Sequence, residues 1–406
     1  MPNGRTTILQ IIPELDAGGA ELSVVEVAAA ITRAGGRALV LAEPGGRLAS
    51  NVEAAGGEVV PFPASSKNPM RILANAASLA RLATQEGVHL IHARSRAPAW
   101  SALMAARRAR LPFVTTYHGA YNETNPLKRA YNSVMARGDV VIANSLYTAR
   151  LIVDRYHTPP ERITVIHRGV DAGAFDPARI GNDRIAALRA SWGVGAGDPI
   201  ILQAARLTRW KGQGVLIDAI AKLHTRGALR NAVLVLAGDA QGRDAYEAEL
   251  RAQAAGLGLE SRVLFAGHVK DMPAAFAAAQ VAVIASIEPE AFGRTAVEAA
   301  ALGCPVIATN IGAPPETILA QPIAAPQQIT GWLVPPDSAG ALTPVLAEAL
   351  ALAPSERTAM GERARRHVLA HFTTEAMQRR TLAVYDRLLG TALENQFNAG
   401  RPTNVP

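Results

Sequence analysis

Residues 282–308 read AVIASIEPEAFGRTAVEAAALGCPVIA, and this stretch decides the fold. The apolar run Val281–Ala285 predicts a buried parallel strand, and the good helix formers over Arg294–Leu302 predict a helix before a second apolar run. Glu290 then lies at the carboxyl end of a strand, where open α/β sheets bind ligands. Gly293 lets a ligand approach the free NH groups of the helix start, which suit a phosphate. The stretch therefore predicts a βαβ unit with a ligand site at its first turn.

Short apolar segments alternate with helical segments along the whole chain. In the first half the predicted strands are Thr7–Ile12, Ala38–Ala42, Val59–Phe62, His89–His92, Phe113–Thr116 and Val140–Ala143. In the second half they are Ile200–Ala204, Val233–Ala237, Val263–Ala266, Val281–Ala285 and Pro305–Ala308. Strands that alternate with helices predict doubly wound parallel sheets with right-handed crossovers. The fold class is therefore α/β, with two Rossmann-like halves.

Gly, Asp and Pro breaks over Asp171–Pro199 predict an interdomain linker that contains one helix, so we place the domain boundary near residue 180. After Pro336 the pattern predicts only helices, the last over Thr374–Leu389. The polar tail from Phe397 onward is predicted to fray.

The composition is that of a globular chain with a basic first half. At 406 residues and 49% hydrophobic content, the chain is long enough for two buried cores. The net charge is +7, and residues 1–180 hold 20 Lys and Arg against 14 Asp and Glu. The one cysteine, Cys304, allows no intrachain disulfide and favours a small core residue in a reducing compartment. No leader-like or membrane-spanning stretch is recognisable, so we expect a cytoplasmic protein.

A cationic helix is predicted over Ala97–Ala109, with Trp100, Leu103 and Met104 as an apolar stripe. The arginines that bracket it are Arg94, Arg96, Arg107, Arg108 and Arg110. Such a helix can rest peripherally on an anionic membrane surface, and a solvated face over an ordinary core stripe is an equally good interpretation. Nucleic acid is not expected as a partner, because no binding motif accompanies the charge.

Three other strand ends offer polar groups to a ligand. Gly18 and Gly19 follow the first strand and can approach a phosphate, with a plain tight turn as the alternative. His118 follows the fifth strand, where a histidine points into the ligand crevice, with a structural histidine as the alternative. Arg206 and Lys211 precede a predicted helix, and two fixed cations there can stabilise a departing diphosphate; otherwise they are surface charges.

The elbow E-A-F-G-R-T-A-V-E, with Glu290 and Glu298 at its ends, resembles the E-x-F-G-x(4)-E motif of glycosyltransferase family 4. The segment A-R-L-T-R-W-K-G, with Arg206 and Lys211, is similar to the family's G-R-L-x(3)-K-G, although Ala205 replaces the usual glycine. The resemblance covers most of the chain. It implies the GT-B fold, in which two Rossmann-like parallel-sheet domains face a cleft and the C-terminal helix crosses back to the first domain.

The resemblance also implies which residues act. Residues 1–180, with a C-terminal helix at about 373–392, would bind the acceptor, and residues 181–372 would bind the nucleotide sugar. The implied catalytic residues are His118, Glu290, Arg206 and Lys211. The implied donor-binding residues are Gly18, Gly19, Arg206, Lys211, Gly267, His268, Glu290, Phe292, Gly293, Arg294, Thr295 and Glu298. His167 and Arg168 depart from the family's common Pro-Asn, so the conformation of that loop is in doubt.

We therefore expect a retaining glycosyltransferase of the hexosyltransferase type. It would move a sugar from a UDP- or GDP-linked donor to a hydroxyl of a glycan or glycolipid in bacterial lipopolysaccharide, capsule or envelope assembly. No cofactor or metal is expected, since the chain has no Asp-x-Asp clamp. A nucleotide-sugar epimerase on the same fold and a non-catalytic binding module remain alternatives. A nicotinamide dehydrogenase is disfavoured because the G-x-G-x-x-G fingerprint is missing.

Overall fold

The computed structural model describes residues 5–16, 18–121, 123 and 125–400, and the chain divides into two compact units. The first unit comprises Met1–Arg168 and Thr374–Pro406, and the second comprises Gly169–Thr373. Each unit is built around one parallel sheet, of seven strands in the first and six in the second. The predicted fold class, two Rossmann-like domains, is confirmed.

The first unit alternates strands and helices in chain order. Its strands are β1 (Thr7–Ile11), β2 (Arg37–Ala42), β3 (Glu58–Pro61), β4 (Leu90–Ala93), β5 (Phe113–Tyr117), β6 (Val140–Ala143) and β7 (Ile163–Val165). The helices between them are α1 (Gly19–Arg33), α2 (Ala49–Ala54), α3 (Pro69–Gln85), α4 (Arg96–Ala109), α5 (Pro126–Asn132) and α6 (Leu146–Tyr156). The strand order is β3-β2-β1-β4-β5-β6-β7, so the order reverses between β1 and β4.

Both faces of the first sheet are covered by helices. Within β1, Ile8 packs in one core with Val24 of α1, whereas Leu9 packs in the other core with Leu79 of α3 and Ala102 of α4. Successive side chains of a strand point to opposite faces. Burial on both faces is therefore the reason that these strands are continuous apolar runs in the sequence.

The second unit repeats this plan. Its strands are β8 (Ile200–Ala204), β9 (Val233–Ala237), β10 (Val263–Gly267), β11 (Val281–Ile284), β12 (Val306–Thr309) and β13 (Gly331–Val334). Its helices are α7 (Asn182–Ser191), α8 (Gln213–Thr225), α9 (Asp244–Gly256), α10 (Met272–Ala278), α11 (Arg294–Ala301), α12 (Pro314–Thr317), α13 (Ala339–Ala351) and α14 (Pro354–His371). The strand order β10-β9-β8-β11-β12-β13 reverses between β8 and β11.

The last two helices, α15 (Thr374–Leu389) and α16 (Leu393–Ala399), return to the first unit, as the GT-B resemblance implies. Both pack against α1. The prediction that the chain frays from Phe397 is wrong, because Phe397 is fully buried in the first core and the Arg33 guanidinium lies 4.1 Å from its ring centroid.

The first unit ends at Arg168, before the predicted boundary near residue 180. The predicted linker is packed structure of the second unit. Val170 pairs with Thr373 and lies in a core cluster with Phe292, while Ile180 and Val194 are buried in the core beside β8. These few buried apolar residues lie among turn-forming residues, so the sequence pattern did not indicate that the segment is packed.

Two edge strands, β7 and β13, were not predicted. They are three and four residues long and each pairs on one side only, so neither needs a long apolar run. Among the described residues, no helix combines the length and apolar character that a membrane crossing requires.

Candidate active site

The strand-order reversals mark where each sheet opens a crevice at the carboxyl ends of its strands. In the second domain this point lies between β8 and β11. Arg206 and Lys211 follow β8, and Glu290 follows β11. The topology therefore brings together two of the loops that the sequence singled out.

Lys211 and Glu290 form a direct ion pair across this point. Glu290 is 8% exposed, and its Oε1 also accepts a hydrogen bond of 2.6 Å from the Ser286 hydroxyl. The Lys211 ammonium lies 4.1 Å from the ring centroid of Trp210. A partly buried carboxylate and ammonium thus compensate each other's charge at the strand ends. Ser286 and Trp210 were not predicted, because neither residue type is distinctive in a sequence.

Two close backbone approaches hold this pair in place. A Cβ on Gly212 would lie 1.9 Å from the Ala285 carbonyl oxygen, and a Cβ on Gly312 would lie 2.3 Å from that of Glu290. Both glycines have positive φ, 69° and 79°, which glycine adopts without strain. Only glycine lets the loop after β8 pack directly against the end of β11.

Helix α11 begins beside the pair, since Gly293 precedes its first residue, Arg294. The Thr295 hydroxyl donates to the Ala204 carbonyl at the end of β8, over 3.3 Å. Arg294 donates to Glu298 one turn on, over 3.2 Å, and both side chains are largely buried. The predicted ribose carboxylate therefore has a cationic neighbour at the helix start.

Further predicted site residues of this domain are Arg206, Gly267 and His268. The exposed Arg206 side chain donates to Gln241 over 3.3 Å, and within the described chain it makes no hydrogen bond to Lys211 or Glu290. Gly267 ends β10 with φ 62°, and His268 beside it is exposed.

Phe292 differs from the expectation that it contacts the donor. Its ring is buried and packs against Phe372, with centroids 6.1 Å apart. Removing this apolar ring from water is favourable in free energy. Phe292 therefore anchors the loop, and its side chain is not available to a ligand.

In the first domain the order reverses between β1 and β4. Gly18 precedes α1 and Gly19 is its first residue, while the Glu21 carboxylate lies against Gly18. Arg94 follows β4 and is 3% exposed. The sequence analysis counted Arg94 among the arginines that bracket a predicted helix, which faces either an anionic membrane or solvent. Its place directly after a buried strand was the signal that could have identified it.

His118 follows β5, and its Nδ1 accepts a hydrogen bond of 2.5 Å from Arg168. Arginine only donates, so the proton of the neutral ring resides on Nε2. Burial, with the charges of Arg168 and Arg94, holds the pKa of His118 well below its usual value. His118 is therefore a neutral hydrogen-bond donor through Nε2, and its low basicity makes it a poor general base at neutral pH.

A further cavity lies elsewhere in the second domain. It measures about 370 Å³ and is lined by Pro199, Gln280 and Pro305, which precede β8, β11 and β12. This is the amino-end edge of the second sheet, opposite the Lys211–Glu290 pair. Cys304 lines it, and burial raises the pKa of the thiol to about 12, so this cysteine is unreactive. Among the described residues, no group of three or more His, Cys, Asp or Glu is placed to hold a metal ion.

The chain matches two family models. Residues 17–173 match the family described as Glycosyltransferase Family 4, and residues 185–367 match the one described as Glycosyl transferases group 1.

Curated relatives match part of their own length. A D-inositol 3-phosphate glycosyltransferase from Corynebacterium glutamicum (strain R) is 32% identical over 52% of this chain and 49% of the relative. The chain thus spans about half the length of that relative. A protein of the same name from Jonesia denitrificans is 31% identical over 70% of this chain and 68% of the relative.

Two solved structures are similar along nearly the whole chain. A glycosyltransferase from Rickettsia africae ESF-5 has 33% identity and a TM-score of 0.86, covering 96% of this chain and 100% of its own. Anabaena HepE in complex with UDP-glucose has 26% identity and a TM-score of 0.80, covering 95% of this chain and 100% of its own. The similarity therefore extends over both domains.

Proposed function

The chain belongs to glycosyltransferase family 4, and from this membership we propose that it is a retaining glycosyltransferase that uses a nucleotide-sugar donor. The observation that supports this most strongly is the Lys211–Glu290 pair beside the start of α11. The pair lies where the strand order of the second domain reverses, and we call each such reversal a switch point. An anionic leaving group needs fixed cations and NH donors, and a sugar that develops positive charge needs a carboxylate. This site offers both within one loop cluster.

In the proposed reaction Glu290 holds the transferred sugar and favours the positive charge that develops on its ring. Lys211, Arg206 and the NH groups from Gly293 to Thr295 stabilise the departing diphosphate. The bond between the anomeric carbon and the phosphate oxygen breaks as the acceptor oxygen bonds to the same face. The acceptor proton passes to the leaving phosphate oxygen, so the protein need not supply a base.

We propose that the donor is UDP- or GDP-linked, with the base near Gly267 and His268 and the ribose on Glu298. The similarity to the Anabaena structure that holds UDP-glucose favours UDP. No metal takes part in the proposed step, and we expect EDTA to leave the rate unchanged.

The acceptor is proposed to bind the first domain beside His118, with Gly18 and Gly19 contributing backbone contacts to the donor phosphates. A hydroxyl of a glycan or glycolipid of envelope assembly fits the basic first half of the chain. The names of the relatives suggest a phosphorylated polyol as the alternative acceptor.

We propose that the first domain also touches an anionic membrane surface peripherally, from the cytoplasmic side. The support comes from exposed apolar side chains next to cations, namely Met70 at 75% exposure beside Arg71 and Leu127 at 83% exposure beside Lys128. The predicted stripe on α4 is not the contact, because the Trp100 indole donates to the Tyr131 carbonyl over 3.0 Å. Sedimentation with anionic vesicles tests this, and Leu127→Asp should weaken binding whereas neutral vesicles should bind neither protein.

The function is tested by incubating the protein with a panel of nucleotide sugars, with and without candidate acceptors. We expect donor consumption to depend on the acceptor, and NMR to show the donor's anomeric configuration in the product. Equal donor turnover without acceptor would indicate an epimerase or hydrolase. An inverted product would contradict retention, and no turnover with intact nucleotide binding would indicate a non-catalytic module.

A further inference from the structure

A small polar cavity lies at the carboxyl ends of the first-domain strands. It has a volume of about 20 Å³, which is enough for one water-sized atom. Ten described residues line it, among them Ser23, Arg94, Thr116, His118, Asn144 and Arg168. None of these described residues carries a carboxylate, whereas two carry a guanidinium.

Arg94 is buried here with most of its donors unused. Its side chain makes one hydrogen bond within the described chain, from Nη2 to the Ser23 hydroxyl over 2.6 Å, and its Nε has no partner. An arginine has five N–H donors. Burial lowers the pKa of Arg94 to about 10, and the charges of Tyr385 and Glu26 offset this only in part. A buried cation without an anionic partner carries a high cost in free energy.

His118 adds a second unused donor to the same cavity. Arg168 occupies Nδ1, so Nε2 bears the proton, and this buried Nε2 also has no partner. Buried donors are almost always paired in native proteins. Arg94 and His118 thus each offer an unpaired donor to the same cavity. Since no carboxylate lines this cavity, a negatively charged acceptor would suit it.

We propose that this cavity is an oxyanion subsite, in which one oxygen of a phosphate or carboxylate group binds between Arg94 and His118. The volume admits a single oxygen, so the rest of the group remains outside the cavity. This inference rests on the proposed function in one respect: the group would belong to the acceptor and would orient its hydroxyl. Binding of the anion itself requires no turnover.

The subsite is tested by the melting temperature of the full chain in sodium phosphate, sodium acetate or sodium chloride at equal ionic strength. Phosphate, acetate or both should raise the Tm of the wild type over chloride, by about 2–4 °C once the anion exceeds its Kd about tenfold. The comparison of phosphate with acetate identifies the preferred oxyanion.

Two variants locate the bound anion. Arg94→Met should remove the part of the shift that arises at this cavity, and in chloride its Tm should equal or exceed that of the wild type, because an unpaired buried charge has been removed. Arg94→Lys keeps the charge but loses donors and should retain a reduced shift. Lys211→Met removes a cation of the proposed donor site, so it should lose only the part of a phosphate shift that arises there and retain the part that Arg94→Met loses.

The proposal is overturned if no oxyanion raises the Tm of the wild type, since the cavity then holds only water. It is also overturned if Arg94→Met shows the same shift as the wild type, or if Lys211→Met alone removes the whole shift, since the anion then binds elsewhere. Nucleotide binding is measured separately on the same proteins. In the wild type, the absence of any oxyanion shift together with intact nucleotide binding refutes the subsite alone. An oxyanion shift without nucleotide binding refutes the proposed donor site alone.

Discussion

The two switch points, where strand order reverses in each sheet, differ in how a cation is paired. Both sheets reverse strand order at corresponding places, and both put a cation at the carboxyl end of a strand next to the reversal. In the second domain Lys211 is paired with Glu290. In the first domain Arg94 is more deeply buried, yet its side chain is bonded only to a serine hydroxyl within the described chain.

This difference in pairing indicates the charge of the ligand that each site favours. A balanced Lys–Glu pair can face a ligand that carries both signs of charge, such as a sugar that becomes positive on a diphosphate that becomes negative. A buried arginine without a carboxylate partner favours an anionic ligand. The same reversal of strand order therefore stands beside two different side-chain pairings, and fold alone does not determine what such a site binds.

The largest effect is expected when the negative charge of the Lys211–Glu290 ion pair is removed. Glu290→Gln keeps the shape of the side chain but removes the charge that faces the developing positive sugar. We expect kcat to fall by about 10²–10³-fold, measured by nucleoside diphosphate release in a protein with unchanged circular dichroism. Glu288→Gln is the matched control, because Glu288 is exposed on the same loop. A Glu290→Gln rate within a factor of two of the control would remove Glu290 from the mechanism.

The second effect concerns backbone rather than charge. Gly212→Ala places a Cβ against the Ala285 carbonyl at a positive φ, so we expect unfolding free energy to fall by about 1–3 kcal/mol and Lys211 to be displaced. Differential scanning calorimetry and nucleotide binding measure the two consequences. Gly256→Ala is the control, since its Cβ would meet no heavy atom within 4 Å. Equal Tm values for the two variants would show that the close approach is not required.

The smallest effect is a pH dependence of the first domain. His92 is fully buried between the Tyr385 and Thr116 hydroxyls, each 2.7 Å away. Burial, and then the charge of Arg94, lowers its pKa well below 6.5. The unfolded chain therefore binds a proton below pH 6.5 that the folded chain does not, and stability falls as the pH is lowered. The pKa of His118 is lowered in the same way.

Each of these two histidines contributes a slope of at most about 1.4 kcal/mol per pH unit. His92→Gln removes one contribution, so the loss of Tm between pH 7 and pH 5 should be smaller than in the wild type. His224→Gln, which changes an exposed histidine of the second domain, should leave the loss unchanged. A Tm that rises on acidification would contradict the sign.

The sequence predicted the fold where burial on both faces leaves a continuous apolar run. The strands that flank both switch points, such as Ile200–Ala204, were located by this signal. Edge strands such as β7 pair on one side and lack it. The segment from Gly169 and the tail at Phe397 were misjudged because one or two buried apolar residues among turn formers leave no periodicity.

Part of the candidate site was predicted, and the signal was a motif rather than an apolar run. Lys211 and Glu290 lie in motif-like loops, so the resemblance identified them, and the structure joins them directly. The roles assigned to them stay predictions. Arg94 was missed because charge in a sequence indicates solvent exposure on average, and this expectation outweighed its position directly after a buried strand.

The most direct test of the central claim is calorimetric titration of the wild type, Lys211→Met and Arg94→Met with a UDP-sugar. We predict that the wild type binds, that Lys211→Met raises the Kd about tenfold or more, and that Arg94→Met binds as the wild type does. Failure of the wild type to bind any nucleotide sugar, or weaker binding in Arg94→Met with none lost in Lys211→Met, would contradict the assignment of the paired switch point to the donor.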